Sequence, residues 1–202
     1  MAAQPIGGDV DDYRIDILKE YDSLCDIDCY GGHPKLKNFK NYKGWIFNKE
    51  ENTMSALYSK RIMRDITSIE CMTNYKFVIV LENEVIDGYF SERFIDGLAT
   101  HSIMIYYGPK NPKKFFPEVF KYVINGYDYD DTIEVLNYIN KMSKNEYELR
   151  INGIKSLLKK ITKVFSMDNI MHFITNKIFE KEGKNKEECI LLNNLNKIKE
   201  LD

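Results

Sequence analysis

The chain has 202 residues, 44% of them hydrophobic and 30% charged, a composition and length that predict one folded domain or at most two small ones. Its 29 basic and 31 acidic side chains leave a formal net charge of -2, so the basic excess that marks most nucleic-acid-binding proteins is missing, and no nucleic-acid partner is expected. No apolar run of about 18 residues and no basic start followed by an apolar segment is present, so a soluble or cytoplasmic protein without a membrane span or signal peptide is expected.

The first ten residues, MAAQPIGGDV, differ in composition from the remainder, which is rich in Lys, Asn, Ile and Tyr. Residues 1–10 are therefore interpreted as a disordered leader or a cloning scar outside the fold. Apolar residues at helical spacing then predict a helix over 11–21. Residues 24–30 (LCDIDCY) alternate like a strand, which Gly31 and Gly32 end.

Between residues 33 and 142, short apolar runs alternate with helical patterns. A polar loop is predicted over 33–52, with a short helical turn within it as an alternative. Helices are predicted over 53–71, 91–99 and 131–142, and strands over 75–81, 102–107 and 121–124. Short apolar strands that alternate with helices are typical of an α/β fold, in which helices cover both faces of a parallel sheet.

The end of the chain has a different organisation, because three helices follow one another without an intervening strand. They are predicted over about 146–165, 167–182 and 186–200. We therefore predict a domain over 11–150 and a helical C-terminal extension over 151–202. The apolar stripe along 168–182 is interpreted as a packed helix face, and peripheral contact with a membrane surface is the alternative.

Three features have plain structural interpretations. His33 lies in a Gly-Gly-His-Pro turn and is expected to be exposed, although it follows a strand end, where a nucleotide contact is the alternative. The acidic run YDYDD over 127–131 is interpreted as a loop and a helix N-cap. The four cysteines lack the close pairs that a structural zinc site needs, so reduced thiols and no metal site are expected.

The segment that carries chemistry follows the predicted strand over 75–81. Glu82 and Asn83 come directly after this strand, where open α/β sheets bind ligands. A loop with Tyr89 leads to Ser91-Glu92-Arg93 at the start of the next helix. A helix N-terminus and an arginine suit a phosphate, and a carboxylate suits a pair of ribose hydroxyls. The alternative is that Ser91 and Glu92 only cap the helix.

Five elements of this region match one family in order and spacing. They are Tyr75-Lys76-Phe77, Leu81-Glu82-Asn83, Tyr89, Ser91-Glu92-Arg93 and Tyr107-Gly108-Pro109. Together they resemble the α-1,3-fucosyltransferase family, glycosyltransferase family 10. A weaker match upstream includes Arg14 and the Asp-Cys-Tyr-Gly of 28–31, so the resemblance covers about residues 12–150.

The resemblance implies the C-terminal, donor-binding half of a GT-B glycosyltransferase, a Rossmann-like domain of an enzyme with its active site between two such halves. It implies GDP-fucose as the donor and an inverting transfer to a glycan acceptor that requires no metal or other cofactor. By the same resemblance Glu92 holds the ribose, and Arg93 and Arg14 bind the diphosphate. The donor-binding set is Arg14, Glu82, Asn83, Tyr89, Glu92 and Arg93.

The chain also departs from the family pattern. Arg93 stands where the family has Lys, and Glu84 stands where it has Ser. The acceptor-binding half, which would supply the general base, is not found in these residues, so the catalytic residue is unknown and an N-terminal domain is an expected partner. Two alternatives therefore stay open: a non-catalytic interaction module that keeps the nucleotide-sugar fold, and a transferase that uses another nucleotide sugar.

Overall fold

The computed structural model describes residues 1–6, 13–44 and 69–164. The chain divides into two compact units, Met1–Ile154 and Lys155–Asp202. The first unit contains the sheet and the residues predicted to bind a ligand. Of the second unit, only the end of one long helix belongs to the described residues.

The described part of the chain forms one six-stranded sheet in which every pairing is parallel. The strands are β1 (Ala2–Ile6), β2 (Asp28–Gly31), β3 (Asn41–Gly44), β4 (Phe77–Leu81), β5 (Ile103–Tyr107) and β6 (Ile124–Asn125). The helices are α1 (Tyr13–Leu24), α2 (Glu92–Ala99), α3 (Thr132–Lys141) and α4 (Lys144–Val164). The order across the sheet is β3-β2-β1-β4-β5-β6, so the predicted parallel α/β fold is confirmed.

Helices cover both faces of the central strands. On one face, Ile79 of β4 and Ile105 of β5 belong to the same buried cluster as Leu18 of α1 and Val135 of α3. On the other face, α2 packs against β4 and β5. Burial on both faces explains why β4 and β5 are apolar throughout and could be recognised from the sequence.

The first residues differ from their prediction. Ala2–Ile6 is not a leader outside the fold but a strand that pairs with both β2 and β4. The side chains of Ala2 and Ala3 are buried. Alanine has a low strand propensity and gives no apolar alternation, so pairing and burial in the sheet override the local pattern here.

The segment 33–52, predicted as a polar loop with a short helical turn as an alternative, contains such a turn and also a strand that was not predicted. A short 3-10 helix occupies Pro34–Asn38, and the edge strand β3 follows it. His33 is buried, with 1% of its surface exposed, instead of exposed as predicted. Its Nδ1 accepts a hydrogen bond of 3.2 Å from the Lys35 amide and so caps the 3-10 helix.

Most of the other predicted elements are present with shifted ends. The strand predicted over 121–124 is Ile124–Asn125, preceded by a 3-10 turn. Asp131 is the N-cap of α3, as expected for the acidic run. Residues 69–72 are helical, but the rest of the helix predicted over 53–71 and the helices predicted over 167–182 and 186–200 lie outside the described residues. No described helix has the length and apolar content needed to cross a membrane.

We expect Gly97→Ala to destabilise the protein, although alanine normally favours a helix over glycine by about 1 kcal/mol. A Cβ at this position of α2 would lie 2.6 Å from Met104 Sδ and 2.7 Å from Val80 Cγ2. Overpacking of this kind costs about 1–3 kcal/mol. Urea unfolding should show a net loss, whereas Asn137→Ala on the exposed face of α3 should not. Equal or higher stability of Gly97→Ala would contradict the close packing of α2 on the sheet.

Candidate functional site

The strand order of the sheet reverses between β1 and β4, and a crevice at the carboxyl ends of the strands is expected there. The first turn of α1 and the residues that follow β4 meet at this point. Arg14 Nη1 donates a hydrogen bond of 2.5 Å to Asn83 Oδ1. Two of the predicted site residues, 69 positions apart in the sequence, are thus brought together at the switch point of the sheet.

Arg14 is almost entirely buried, with 8% of its surface exposed, whereas Asn83 is exposed. The guanidinium group is therefore held in place within the protein, and its positive charge lies next to the exposed Asn83 side chain. An arginine held in this way keeps its donors oriented, which suits recognition of a diphosphate.

Glu82 does not line the crevice, because none of its surface is exposed. Its Oε1 accepts hydrogen bonds from the Ser91 amide at 3.1 Å and from the Tyr106 hydroxyl at 3.0 Å, and its Oε2 accepts one from Ser91 Oγ at 2.5 Å. The sequence prediction that Glu82 contacts a ligand is therefore corrected: its carboxylate is bound inside the protein, behind the site.

The N-terminus of α2 is accordingly occupied by the protein itself. Ser91 is the N-cap, as predicted, and its Oγ accepts a hydrogen bond of 3.3 Å from the Arg93 amide. The Ser91 amide is bound to Glu82. These two amides are bonded within the protein and are therefore not available to a phosphate.

The remaining predicted residues lie on the loop and helix after β4. Glu92 is exposed at the first position of α2, and in the described part of the chain no hydrogen bond or ion pair engages its carboxylate. Arg93 is half-buried beside it, and Tyr89 is half-buried in the preceding loop. An exposed carboxylate next to an arginine can accept hydrogen bonds from hydroxyl groups while the arginine binds an anion.

Tyr13 is a residue of the site that sequence reasoning missed. Its hydroxyl donates a hydrogen bond of 2.5 Å to the backbone oxygen of Glu82 and lies 3.4 Å from that of Tyr107. The side chain thus ties the start of α1 to the carboxyl ends of β4 and β5. In the sequence Tyr13 gave only an apolar signal for a helix, and no local pattern indicates its long-range contacts.

An aromatic layer supports α2 from below. Phe90, Phe94, Tyr106, Phe116 and Phe120 form stacked and edge-to-face pairs with centroid distances between 4.8 and 6.1 Å. Burial raises the pKa of the Tyr106 hydroxyl far above its usual value, and the nearby Glu82 carboxylate raises it further. Tyr106 therefore stays a neutral donor to Glu82 at any physiological pH.

An open parallel sheet of this order, with charged groups at its switch point, defines a Rossmann-like α/β domain. The sequence model of glycosyltransferase family 10 (fucosyltransferase), C-terminal part, matches residues 9–152. The chain belongs to this family.

Similar proteins agree with this assignment. An α-(1,4)-fucosyltransferase of Arabidopsis thaliana is 28% identical over 120 residues, which are 56% of this chain and 29% of the plant protein. The α-(1,3)-fucosyltransferase FucT of Helicobacter pylori is 35% identical over 79 residues, 39% of this chain and 16% of the bacterial protein. The chain thus matches less than a third of the length of these curated relatives.

Solved structures share the fold. A crystal structure of an α1,3-fucosyltransferase superposes with a TM-score of 0.52 at 22% identity, over 74% of this chain and 36% of that one. A crystal structure of an α1,3-fucosyltransferase with GDP-fucose gives a TM-score of 0.50 at 21% identity, over 74% of this chain and 37% of that one. The common part is the α/β fold described above.

The hydroxyl groups of Tyr107 and Tyr21 predict a loss of stability at alkaline pH. Burial raises the pKa of Tyr107 to about 12, although its 2.8 Å hydrogen bond with Tyr21 lowers it in part. Tyrosine in the unfolded chain ionises near pH 10. The neutral hydroxyl therefore contributes stability below pH 10 that is lost as the pH rises through 12.

Urea unfolding between pH 9 and pH 12 measures this effect. Between pH 9 and pH 12, the free energy of unfolding should fall by about 2–3 kcal/mol less in the Tyr107→Phe variant than in the wild type, because the variant has no hydroxyl to ionise at this position. An equally steep decline in the variant would show that Tyr107 is not shielded as the structure indicates.

Proposed function

We propose that the chain is the donor-binding half of a fucosyltransferase and binds GDP-fucose in the crevice at the switch point of the sheet. The observation that carries the proposal is the contact between Arg14 and Asn83, which brings a buried cation and an exposed amide to one site. Family membership supports it, and so does the related solved fold that holds GDP-fucose.

Each residue of the site has a role that fits its position. Arg14 and Arg93 neutralise the diphosphate, and Glu92 accepts hydrogen bonds from the ribose hydroxyls. Asn83 and Tyr89 line the pocket beside them. Glu82 does not line the pocket; its buried carboxylate holds Ser91, the residue before Glu92 and Arg93.

The proposed reaction is an inverting transfer of fucose to a glycan hydroxyl that requires no metal ion. The GDP leaving group gains negative charge in the transition state, and two fixed guanidinium groups stabilise that charge by electrostatics. Attack by the acceptor hydroxyl also needs a general base. In this proposal the base and the acceptor-binding surface come from a separate N-terminal domain.

The second candidate function is transfer from a different nucleotide sugar, and the residue that favours it follows the end of β4. Glu84 is exposed there, next to the site residue Asn83, and its charge opposes a diphosphate nearby. Arg93 in place of the family lysine also changes the geometry of anion binding. A binding module that has lost transfer activity would keep the same contacts with the nucleotide.

Binding of nucleotides by the purified chain tests the proposal. GDP and GDP-fucose are expected to raise the melting temperature, because a ligand present at about 100 times its Kd stabilises the folded state by about 2.7 kcal/mol. A panel with UDP, UDP-glucose and CDP identifies the base and the sugar. The proposal fails if no nucleoside diphosphate at millimolar concentration changes the melting temperature.

Two exposed carboxylates provide a matched pair for the ribose contact. Glu92→Ala is expected to raise the Kd for GDP by about tenfold or more, since it removes hydrogen bonds to a charged acceptor. Glu84→Ala should leave the Kd unchanged or lower it. Isothermal titration calorimetry measures both, and the reverse order of effects would show that the residues are wrongly assigned.

A further inference from the structure

The Glu82 carboxylate is the one fully buried acidic side chain among the described residues. It has three hydrogen-bond donors, from Ser91 and Tyr106, but no cationic partner in the described part of the chain. Burial of a carboxylate without a counter-charge is costly, and its replacement by an apolar residue is often neutral or stabilising. Stability alone therefore gives a weak reason for an acid at this position.

The contacts of Glu82 hold two separate elements in a fixed relation. Its carboxylate takes both the amide and the hydroxyl hydrogen of Ser91, so the lone pairs of Ser91 Oγ are left to cap α2 through the Arg93 amide. Its backbone oxygen accepts the hydroxyl of Tyr13 at the start of α1. Its backbone amide donates to the Tyr107 oxygen at 2.9 Å.

These two elements carry the two halves of the candidate site. Glu92 and Arg93 directly follow Ser91 on α2, and Arg14 directly follows Tyr13 on α1. Asn83, the partner of Arg14, is the next residue after Glu82. Glu82 is thus bonded to Tyr13, which precedes Arg14 on α1, and to Ser91, which precedes Glu92 and Arg93 on α2.

We propose that Glu82 is a positioning residue: it fixes the N-terminus of α2 against α1 so that Glu92 and Arg93 meet the same ligand as Arg14 and Asn83. The inference rests on the proposed nucleotide-binding function for its ligand, but the positioning itself is a property of the free protein. Preorganisation of this kind matters because a small displacement of binding groups weakens every contact they make.

Glu82→Leu separates positioning from stability, because it removes the buried charge and keeps a side chain of similar volume. Glu82→Gln is the conservative variant, whose amide oxygen can still accept from Ser91. Glu84→Leu, two residues away and exposed, is the matched control.

Amide hydrogen exchange of the free chain is the first measurement. In Glu82→Leu the amides of Ser91 and Arg93 should exchange about tenfold faster or more, while the amide of Ile79 in β4 stays protected. Glu82→Gln should restore part of the protection, and Glu84→Leu should resemble the wild type. A uniform change over all amides, or no change at α2, would overturn the proposal. If Glu82→Leu does not fold, Glu82→Gln is compared with the wild type instead, because it leaves the Ser91 N-cap in place.

The second measurement is a double-mutant cycle with GDP. If Glu82 acts through Glu92 and Arg93, adding Glu82→Leu to a variant that already carries Glu92→Ala and Arg93→Ala should change the Kd for GDP by no more than about twofold. Independent, multiplying losses would mean that Glu82 contacts the ligand itself and would overturn the positioning role. If the wild type binds no nucleotide, the proposed function fails, and the exchange data still decide whether Glu82 orders α2.

Discussion

The structure depends on the place of β4 between β1 and β5. Both pairings are parallel, and the pairing of β4 with β5 continues in register through all five residues. Because β1 stands beside β4, the strand order reverses there, and a ligand crevice is expected at this carboxyl edge of the sheet. Arg14 and Asn83 can meet only because α1 leaves β1 on the same side on which the chain leaves β4.

In the proposed function, negative charge is recognised in a different way from that of many Rossmann-like domains. In those, amides at the N-terminus of a helix hold the phosphate groups. Here the Ser91 and Arg93 amides at the start of α2 are bound within the protein by Glu82 and by the cap. In the proposed site the positive charge would therefore come from two arginine side chains of different segments, Arg14 and Arg93, and their relative position would decide which ligand fits between them.

Sequence reasoning succeeded where a pattern reflects burial on both sides. The strands β4 and β5 fall into that class, and the Ser91 cap was found for a different reason, because a serine before a helical pattern is itself a local signal. It failed for Ala2–Ile6, whose small side chains resemble a tail until the neighbouring strands are known. It also missed the role of Tyr13 and the burial of Glu82. Tyr13 bonds to Glu82 across 69 residues, and Glu82 bonds to Ser91 across 9 residues, and only the fold brings these partners together.

The central position of β1 also orders the assembly of the sheet in time. Ala2 pairs with Val78, which closes a loop of 76 residues, whereas Phe77 and Ile103 close one of 26. The longer closure costs about 1 kcal/mol more in chain entropy. Ala2 also pairs with Asp28 across 26 residues, so each half of the sheet closes at a similar cost, and the joining of β1 to β4 is the more costly step. We therefore expect the switch point between β1 and β4, where Arg14 meets Asn83, to form after the two halves of the sheet on either side of it.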